Sequence, residues 1–263
     1  MILGKICPLL SSSSGNSVYI SFGDTSFLVD AGASAKKICT YLEANEVLLN
    51  ELSGIFITHA HTDHISALKN LTKKIKVPII ATNKTIEYLQ NFLSSDQKFL
   101  SVESSSDREK INFISVDFFN TKHDCAGSCG YRFSNGKNSV AFCTDLGVVT
   151  DEVRKGIINS DVCYIESNHD IAKLSTGPYP PPLKKRVLSE NGHLSNVSCA
   201  AELPDLLKSG TKKFILGHLS VENNLPVLAK STAVASLKSK GAVLNEDYML
   251  YISPKENGGK VFF

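Results

Sequence analysis

The 263-residue chain has no tryptophan, only two methionines and no long run of apolar residues. Its longest apolar stretches, around 55–57 and 77–81, fall far short of the ~20 residues that span a bilayer, so no membrane partner is expected. An excess of charge is missing too. The 28 basic and 26 acidic side chains leave a formal +2, so any contact with a polyanion must be local. Residues 1–10 carry no basic leader and no small-residue cleavage site follows them; they read as a first strand over 2–7, not as a signal peptide. A glycine-rich dinucleotide fingerprint and an internal repeat are both absent. The seven cysteines (7, 39, 125, 129, 143, 163 and 199) are odd in number and scattered singly through apolar segments. That argues for reduced, mostly buried thiols in a cytoplasmic chain.

What is present is an ordinary globular composition, 42% hydrophobic and 21% charged, which excludes a mostly disordered chain. At this length a single core buries roughly 70–75% of the unfolded surface, and no metal or disulfide is needed to hold it. No linker divides the sequence, so residues 1–263 are expected to form a single domain. The serine-rich stretch 11–17 reads as a tight loop between strands at 2–7 and 18–22, either facing a ligand or solvated. A strand over 26–29 ends in Asp30-Ala31-Gly32, and a helix is expected from Ser34. Apolar runs follow at 54–58, 78–81, 113–118, 140–143, 162–165, 213–216 and 248–252. Helical stretches lie near 65–71, 85–93, 150–158, 196–207 and 226–238. Many strands with interspersed helices define a layered α/β or α+β fold.

The histidines carry the functional signal. There are seven, and three fall in one segment, Thr58-His59-Ala60-His61-Thr62-Asp63-His64. His59 and His61 stand two apart, so in extended backbone they point the same way beyond a buried strand. Asp63 and His64 follow where the chain turns into a helix and can face a second position nearby. Imidazoles with a carboxylate suit Zn²⁺, Mn²⁺ or Fe²⁺. Two ions about 3.5–4 Å apart need more ligands than this loop provides, including a bridging carboxylate. Polar residues do recur after later strands, at His123, Asp145, Glu166, Asn168, His169 and His218, and ligands gather at one end of the strands in layered sheets.

Together, Val29-Asp30-Ala31-Gly32, the 59–64 loop, His123, Asp145 and His218 resemble the metallo-β-lactamase fold superfamily along nearly the whole chain. The blocks SSSSGNS (11–17), ESNHD (166–170), YPPPLKKR (179–186), GHLSN (192–196) and GHLSVENN (217–224) look more narrowly like the YycJ/WalJ family. The resemblance implies a four-layer αββα sandwich with a dinuclear centre at one edge and a 5′-to-3′ exonuclease acting on DNA. It implies His59, His61 and His123 on one metal, Asp63, His64 and His218 on the other, and Asp145 bridging the two, with Mn²⁺ or Zn²⁺ as the ions. Asp30 is implied as a carboxylate that orients a ligand histidine, or else is a strand-end turn residue. Where the family usually has alanine this chain has Cys125, and a structural zinc on His123, Cys125 and Cys129 is the corresponding alternative.

In such a centre a water bridging two cations becomes an in-line nucleophile on phosphorus. The expected catalytic residues are His193, Glu166 and Asp63. His193 and Glu166 resemble the pair that protonates the leaving oxygen in related tRNA 3′-processing nucleases, with Glu166 holding the imidazole tautomer; alternatively, His193 caps a helix beginning near Ser195. His169 is a candidate for phosphate contact or ligand exchange. Lys184, Lys185 and Arg186, after a rigid proline run, are either phosphate contacts, with Tyr179 stacking on a base, or a solvated face. His123 and Asp145 are only 145 − 123 = 22 residues apart, which leaves no room for the inserted domain or arm of RNase J-like or tRNA-processing enzymes. Two other functions stay open: a small-molecule cyclic phosphodiesterase, and a regulatory partner that keeps a metal site for stability.

Overall fold

A computed structural model of the chain describes residues 4–102 and 109–263, so the first two residues of the strand expected over 2–7 lie outside it. The first half of the chain builds one sheet from β1 (Gly4–Ser12), β2 (Gly15–Phe22), β3 (Thr25–Val29), β4 (Gly54–Phe56), β5 (Ile79–Thr82) and β6 (Phe99–Val102). The second half builds another from β7 (Glu109–Ile111), β8 (Ile114–Asn120), β9 (Cys129–Ser134), β10 (Ser139–Cys143), β11 (Val162–Glu166), β12 (Lys213–Gly217) and β13 (Met249–Ile252). A last strand, β14 (Val261–Phe262), returns to the first sheet beside β1. Among the described residues each sheet has seven strands, ordered β14-β1-β2-β3-β4-β5-β6 and β13-β12-β11-β10-β9-β8-β7. Both are mixed: antiparallel through β1–β3 and β7–β10, then parallel through β3–β6 and β10–β13.

The parallel strands are apolar on both faces, and their alternation sorts side chains into three cores. Phe27, Val29, Phe56, Val140, Phe142, Val162 and Tyr164 point between the sheets. Leu28 and Ile55 point outward onto α1 (Ala35–Ala44), whose Ile38 and Leu42 share their cluster, and α3 (Leu68–Lys74), with α2 (Thr62–Ile65) and α4 (Asn83–Gln90) at its rim. Ala141, Cys143, Cys163 and Ile165 face α5 (Asp151–Ile157), α8 (Asn196–Lys208) and α9 (Pro226–Ser239). Two short helices, α6 (Ile171–Thr176) and α7 (Pro181–Val187), follow β11. The result is the expected four-layer αββα sandwich.

Helix starts follow their caps. Ser34, Thr150 and Ser195 accept the backbone N–H three residues on, from Lys37 (3.2 Å), Val153 (3.2 Å) and Ser198 (3.1 Å). The expected helix over 65–71 is instead two pieces, because α2 closes the turn after the 58–61 segment before α3 begins. The serine stretch is less of a loop than its composition suggests. The ladder continues through Ser11↔Asn16 and Ser12↔Gly15, leaving a two-residue turn at Ser13 and Ser14. The proline run opens α7, because Pro181 at its first turn lacks only an N–H that has no intrahelical partner there. All seven cysteines are unpaired. No helix among the described residues is long and apolar enough to cross a membrane.

The inter-sheet core is densest in aromatic rings beneath the 58–64 loop. Phe56 meets Phe27, Tyr131 and Phe133 edge-on, with centroids 5.2, 5.1 and 4.9 Å away. Tyr131 Oη donates across the sheets to the carbonyl of Ile57 at 2.7 Å. Phe56→Ala removes the ring at the centre of this cluster and should cost about 3–5 kcal/mol. Urea denaturation in EDTA should show a lower midpoint at an unchanged slope; a midpoint equal to the parent would mean that the inter-sheet core does not carry the fold.

Candidate metal centre

The parallel strands of both sheets end at one edge of the sandwich, and the polar residues sit where they end. Asp30 follows β3, Asp145 follows β10 and His218 follows β12, and all three have left-handed backbone, with φ of 63°, 58° and 54°. Asp, Asn and His tolerate that region better than most side chains, and strain of this kind persists where the surroundings impose it. Here it turns each strand abruptly. Gly32 makes a further close approach possible: a Cβ there would lie 1.4 Å from the carbonyl oxygen of Asp63, so only glycine lets the 30–32 turn lie flat against α2. Ser11 Oγ accepts the His218 N–H at 2.8 Å and the Tyr164 Oη–H at 2.9 Å, which ties the hairpin to the end of β12.

The expected ligand atoms converge. His59 Nε2 lies 3.1 Å from His61 Nδ1, and His123 Nε2 lies 3.3 Å from the same atom. His64 Nε2 lies 3.5 Å from Asp63 Oδ2 and 3.4 Å from Asp145 Oδ2. Asp145 Oδ1 is 3.8 Å from His123 Nε2. Within 4.8 Å of one another, His59, His61 and His123 form one set of donor atoms, and Asp63, His64 and His218 another. Asp145 lies between the sets, its Oδ1 also 3.2 Å from His218 Nδ1.

Buried partners determine which ring nitrogen each imidazole presents. The Gly192 carbonyl accepts His123 Nδ1–H at 3.1 Å, Asp30 accepts His64 Nδ1–H at 2.8 Å and Glu166 accepts His218 Nδ1–H at 2.7 Å. Thr58 Oγ1 stands 3.0 Å from His59 Nδ1 and itself donates to Asp30. Each contact leaves Nε2 facing the shared space. Burial pushes His59 well below the usual imidazole range, and burial also lowers His61. Burial would do the same at His64 and His218, but there carboxylates prevail. Asp145 and Asp30 hold His64 well above the usual range, and Asp145 and Glu166 hold His218 up at about 9.

These residues fit divalent metal. His218 Nε2 and Asp145 Oδ2 are buried at the centre of the cluster without a hydrogen-bond partner. His59 and His123 each bring Nε2 within 3.3 Å of His61 Nδ1, so three imidazole nitrogens crowd one point. A cation satisfies both conditions, and imidazole with carboxylate is the donor set that zinc-like ions take.

Beside the cluster opens a cavity of about 190 Å³ lined by His61, Asp63, His193, Tyr179, Arg186 and Asn168 among others. His193 donates Nδ1–H to Glu166 at 3.0 Å, which leaves its Nε2 for the cavity. Ser195, not His193, caps α8. His169 is enclosed, does not line the cavity and has no hydrogen-bond partner on either ring nitrogen; burial lowers its pKa to about 4. Of the basic run only Arg186 reaches the cavity, because Lys184 donates to the Ser175 carbonyl at 2.7 Å and Lys185 points outward. The His123/Cys125/Cys129 alternative does not form: His123 belongs to the histidine cluster, and no cysteine joins a candidate metal group among the described residues.

Sequence reasoning missed four supporting residues. Asn16 donates to Asp63 Oδ2 at 3.3 Å and stands 3.1 Å from His64 Nε2, and Thr58 links Asp30 to His59. Ser11 anchors His218, and Asp124 pairs with Arg186. The block SSSSGNS held the signal for Ser11 and Asn16 without indicating which polar atom mattered.

A sandwich of this topology with His and Asp donors from both sheets at one edge defines a metal-dependent hydrolase. The family model of the metallo-beta-lactamase superfamily matches residues 12–218, and the chain belongs to that superfamily. It is 35% identical over 246 residues to Exodeoxyribonuclease YycJ of Bacillus anthracis, covering 92% of each chain. It is 36% identical over 255 residues to Exodeoxyribonuclease WalJ of Streptococcus pneumoniae serotype 2, covering 94% of this chain and 93% of that one. Among solved structures, the metallo-beta-lactamase fold protein YhfI from Bacillus subtilis superposes over 100% of both chains with a TM-score of 0.74 at 18% identity, a likeness of fold.

Glu166 is the test of how the cluster is held. Beyond the two imidazoles, its Oε2 accepts the N–H groups of Leu194 (2.9 Å) and Leu146 (3.2 Å), so four donors surround one buried carboxylate. Sequence reasoning assigned it a single imidazole. Glu166→Gln puts an NH₂ among those donors and should cost about 1–3 kcal/mol for each one orphaned. Denaturation of metal-free protein should register the loss. Unchanged stability would mean that the carboxylate does not organise these loops.

Proposed function

We propose that this protein is an exodeoxyribonuclease that hydrolyses phosphodiester bonds from a DNA end, 5′ to 3′, with two divalent ions, Mn²⁺ or Zn²⁺, in a single domain. The observation that carries this reading is that the donors form overlapping groups, His59/His61/His123 and Asp63/His64/His218 among them, with Asp145 within 4 Å of members of both, an arrangement suited to a pair of ions. The names of the two curated relatives supply the substrate class. Seven unpaired cysteines support a reducing, cytoplasmic setting. His59, His61 and His123 would hold one ion, Asp63, His64 and His218 the other, and Asp145 both. Such a pair, when bound, supplies Lewis acidity toward the phosphoryl oxygens and a more acidic water as nucleophile.

The chain's own residues do the rest. The cavity beside the cluster, lined also by Leu183, Arg186 and Val187 of α7, is where a strand end would be received. Tyr179 offers a ring on which a base can stack. His193, oriented by Glu166 through Nδ1, delivers a proton from Nε2 to the departing sugar oxygen. Asp30 and Thr58 keep His64 and His59 turned inward throughout.

Elemental analysis of reconstituted protein should approach two ions per chain; a firm value of one in excess metal would remove the shared role of Asp145. End-labelled DNA, RNA and a cyclic diester compared in Mn²⁺ should show DNA shortened from its 5′ end, whereas faster cleavage of the cyclic diester would replace this reading with a small-molecule diesterase. His193→Ala should keep its metal and lose on the order of 10²–10⁴-fold in rate on DNA. The defect should shrink on a p-nitrophenyl phosphodiester, whose leaving group departs without a proton. An equal defect on both substrates would place His193 among the ligands.

A further inference from the structure

Four of the five histidines in the two donor sets have an oxygen on the ring nitrogen turned away from the shared space: Thr58 for His59, Asp30 for His64, Gly192 for His123 and Glu166 for His218. His61 is the exception. It turns Nδ1 inward, and its Nε2 faces Asp124 Oδ1 across 3.7 Å, too far for a hydrogen bond. The same carboxylate is engaged elsewhere. Arg186, on α7, holds it with two nitrogens, Nη2 at 3.0 Å from Oδ1 and Nε on Oδ2. Asp124 Oδ1 also lies 3.4 Å from His123 Nε2. Asp124 therefore stands between an imidazole that lacks a partner and a guanidinium that lines the cavity.

We propose that Asp124 and Arg186 form an exchangeable pair, in which a substrate phosphate draws the Arg186 guanidinium away and the freed Asp124 carboxylate closes on His61 Nε2–H. Asp124 is then the positioning residue of His61, and Arg186 couples the presence of a phosphate to it. The inference rests on the phosphodiester reading above for its ligand. A guanidinium fork matches carboxylate and phosphate alike, so the two anions compete for one donor face. The side chains of Arg186 and Asp124 are 45% and 31% exposed, so water screens their attraction and the exchange is cheap. Arg186 is the only cationic side chain among Lys and Arg residues lining the cavity, so no second one there substitutes for it among the described residues. A carboxylate on the outer nitrogen fixes the ring and raises its basicity, as Asp30 and Glu166 already do for His64 and His218.

The test uses the full chain with Asp124→Asn and Arg186→Gln, separately and combined. Mn²⁺ affinity is measured by titration calorimetry without nucleic acid, then with a phosphorothioate oligonucleotide. Asp124→Asn should weaken Mn²⁺ binding on the order of 10-fold, the usual worth of such an outer partner. Arg186→Gln should tighten it, because the carboxylate is free for His61. The oligonucleotide should tighten Mn²⁺ binding to the parent and leave Arg186→Gln unmoved. On cleavable DNA, Arg186→Gln should raise KM and lower the salt slope by about 1, whereas Asp124→Asn should lower kcat with KM unchanged or smaller. A purely structural ion pair predicts instead that both variants weaken metal binding and melting temperature alike, and that result would overturn the proposal. So would an Arg186→Gln variant with unaltered salt slope. If the parent cleaves no DNA, the proposed substrate fails, while the oligonucleotide-free Mn²⁺ titrations still decide whether Asp124 serves His61.

Discussion

A buried carboxylate needs donors around it, and Asp30 at the carboxyl edge of the first sheet and Glu166 at that of the second are each surrounded by them. Asp30 takes the Thr58 N–H at 2.8 Å, the Thr58 hydroxyl at 2.9 Å and His64 Nδ1–H at 2.8 Å. Glu166 takes two imidazoles and two backbone N–H groups. Neither side chain has measurable exposure, so each is tolerable only while the surrounding loops stay converged on it. The loops that deliver those donors are the ones that carry the candidate metal ligands. The packing of the edge and the arrangement of the site thus depend on the same contacts, those that satisfy two carboxyl groups out of water.

That dependence explains which parts were legible in the sequence. The 59–64 loop stood out because the spacing of its side chains is itself local: two residues in extended backbone, then the start of a helix. Asp145 and His218 were legible as titratable residues two positions beyond apolar runs. The partners of Asp124, Asn16 and Ser11 were not, because each acts through contacts distant in sequence that leave no local spacing. Glu166 was read with one imidazole and has two, since His218 lies 52 positions away.

The elements behaved similarly. Buried parallel strands such as β10 and β11 are short continuous apolar runs and were read close to their observed limits. By contrast β9, with Gly130 and Arg132 in its centre, gave no such run, yet it pairs along its length with β8 and β10. Gly130 is required there because a Cβ would lie 2.4 Å from the Phe119 ring. The proline run looked like a stiff connector; it opens α7, whose last turn carries Arg186 to the cavity.

The seven metal-binding candidates divide between the halves of the chain: His59, His61, Asp63 and His64 hang from the first sheet, and His123, Asp145 and His218 from the second. Neither half owns the site. The distance between the two groups is set by what lies between the sheets, chiefly Phe56, Phe133 and Tyr131 with its bond to Ile57. The aromatic core thereby acts as a gauge. A substitution deep in it that removes no donor atom still reaches the site by altering the gap across which the donors face each other.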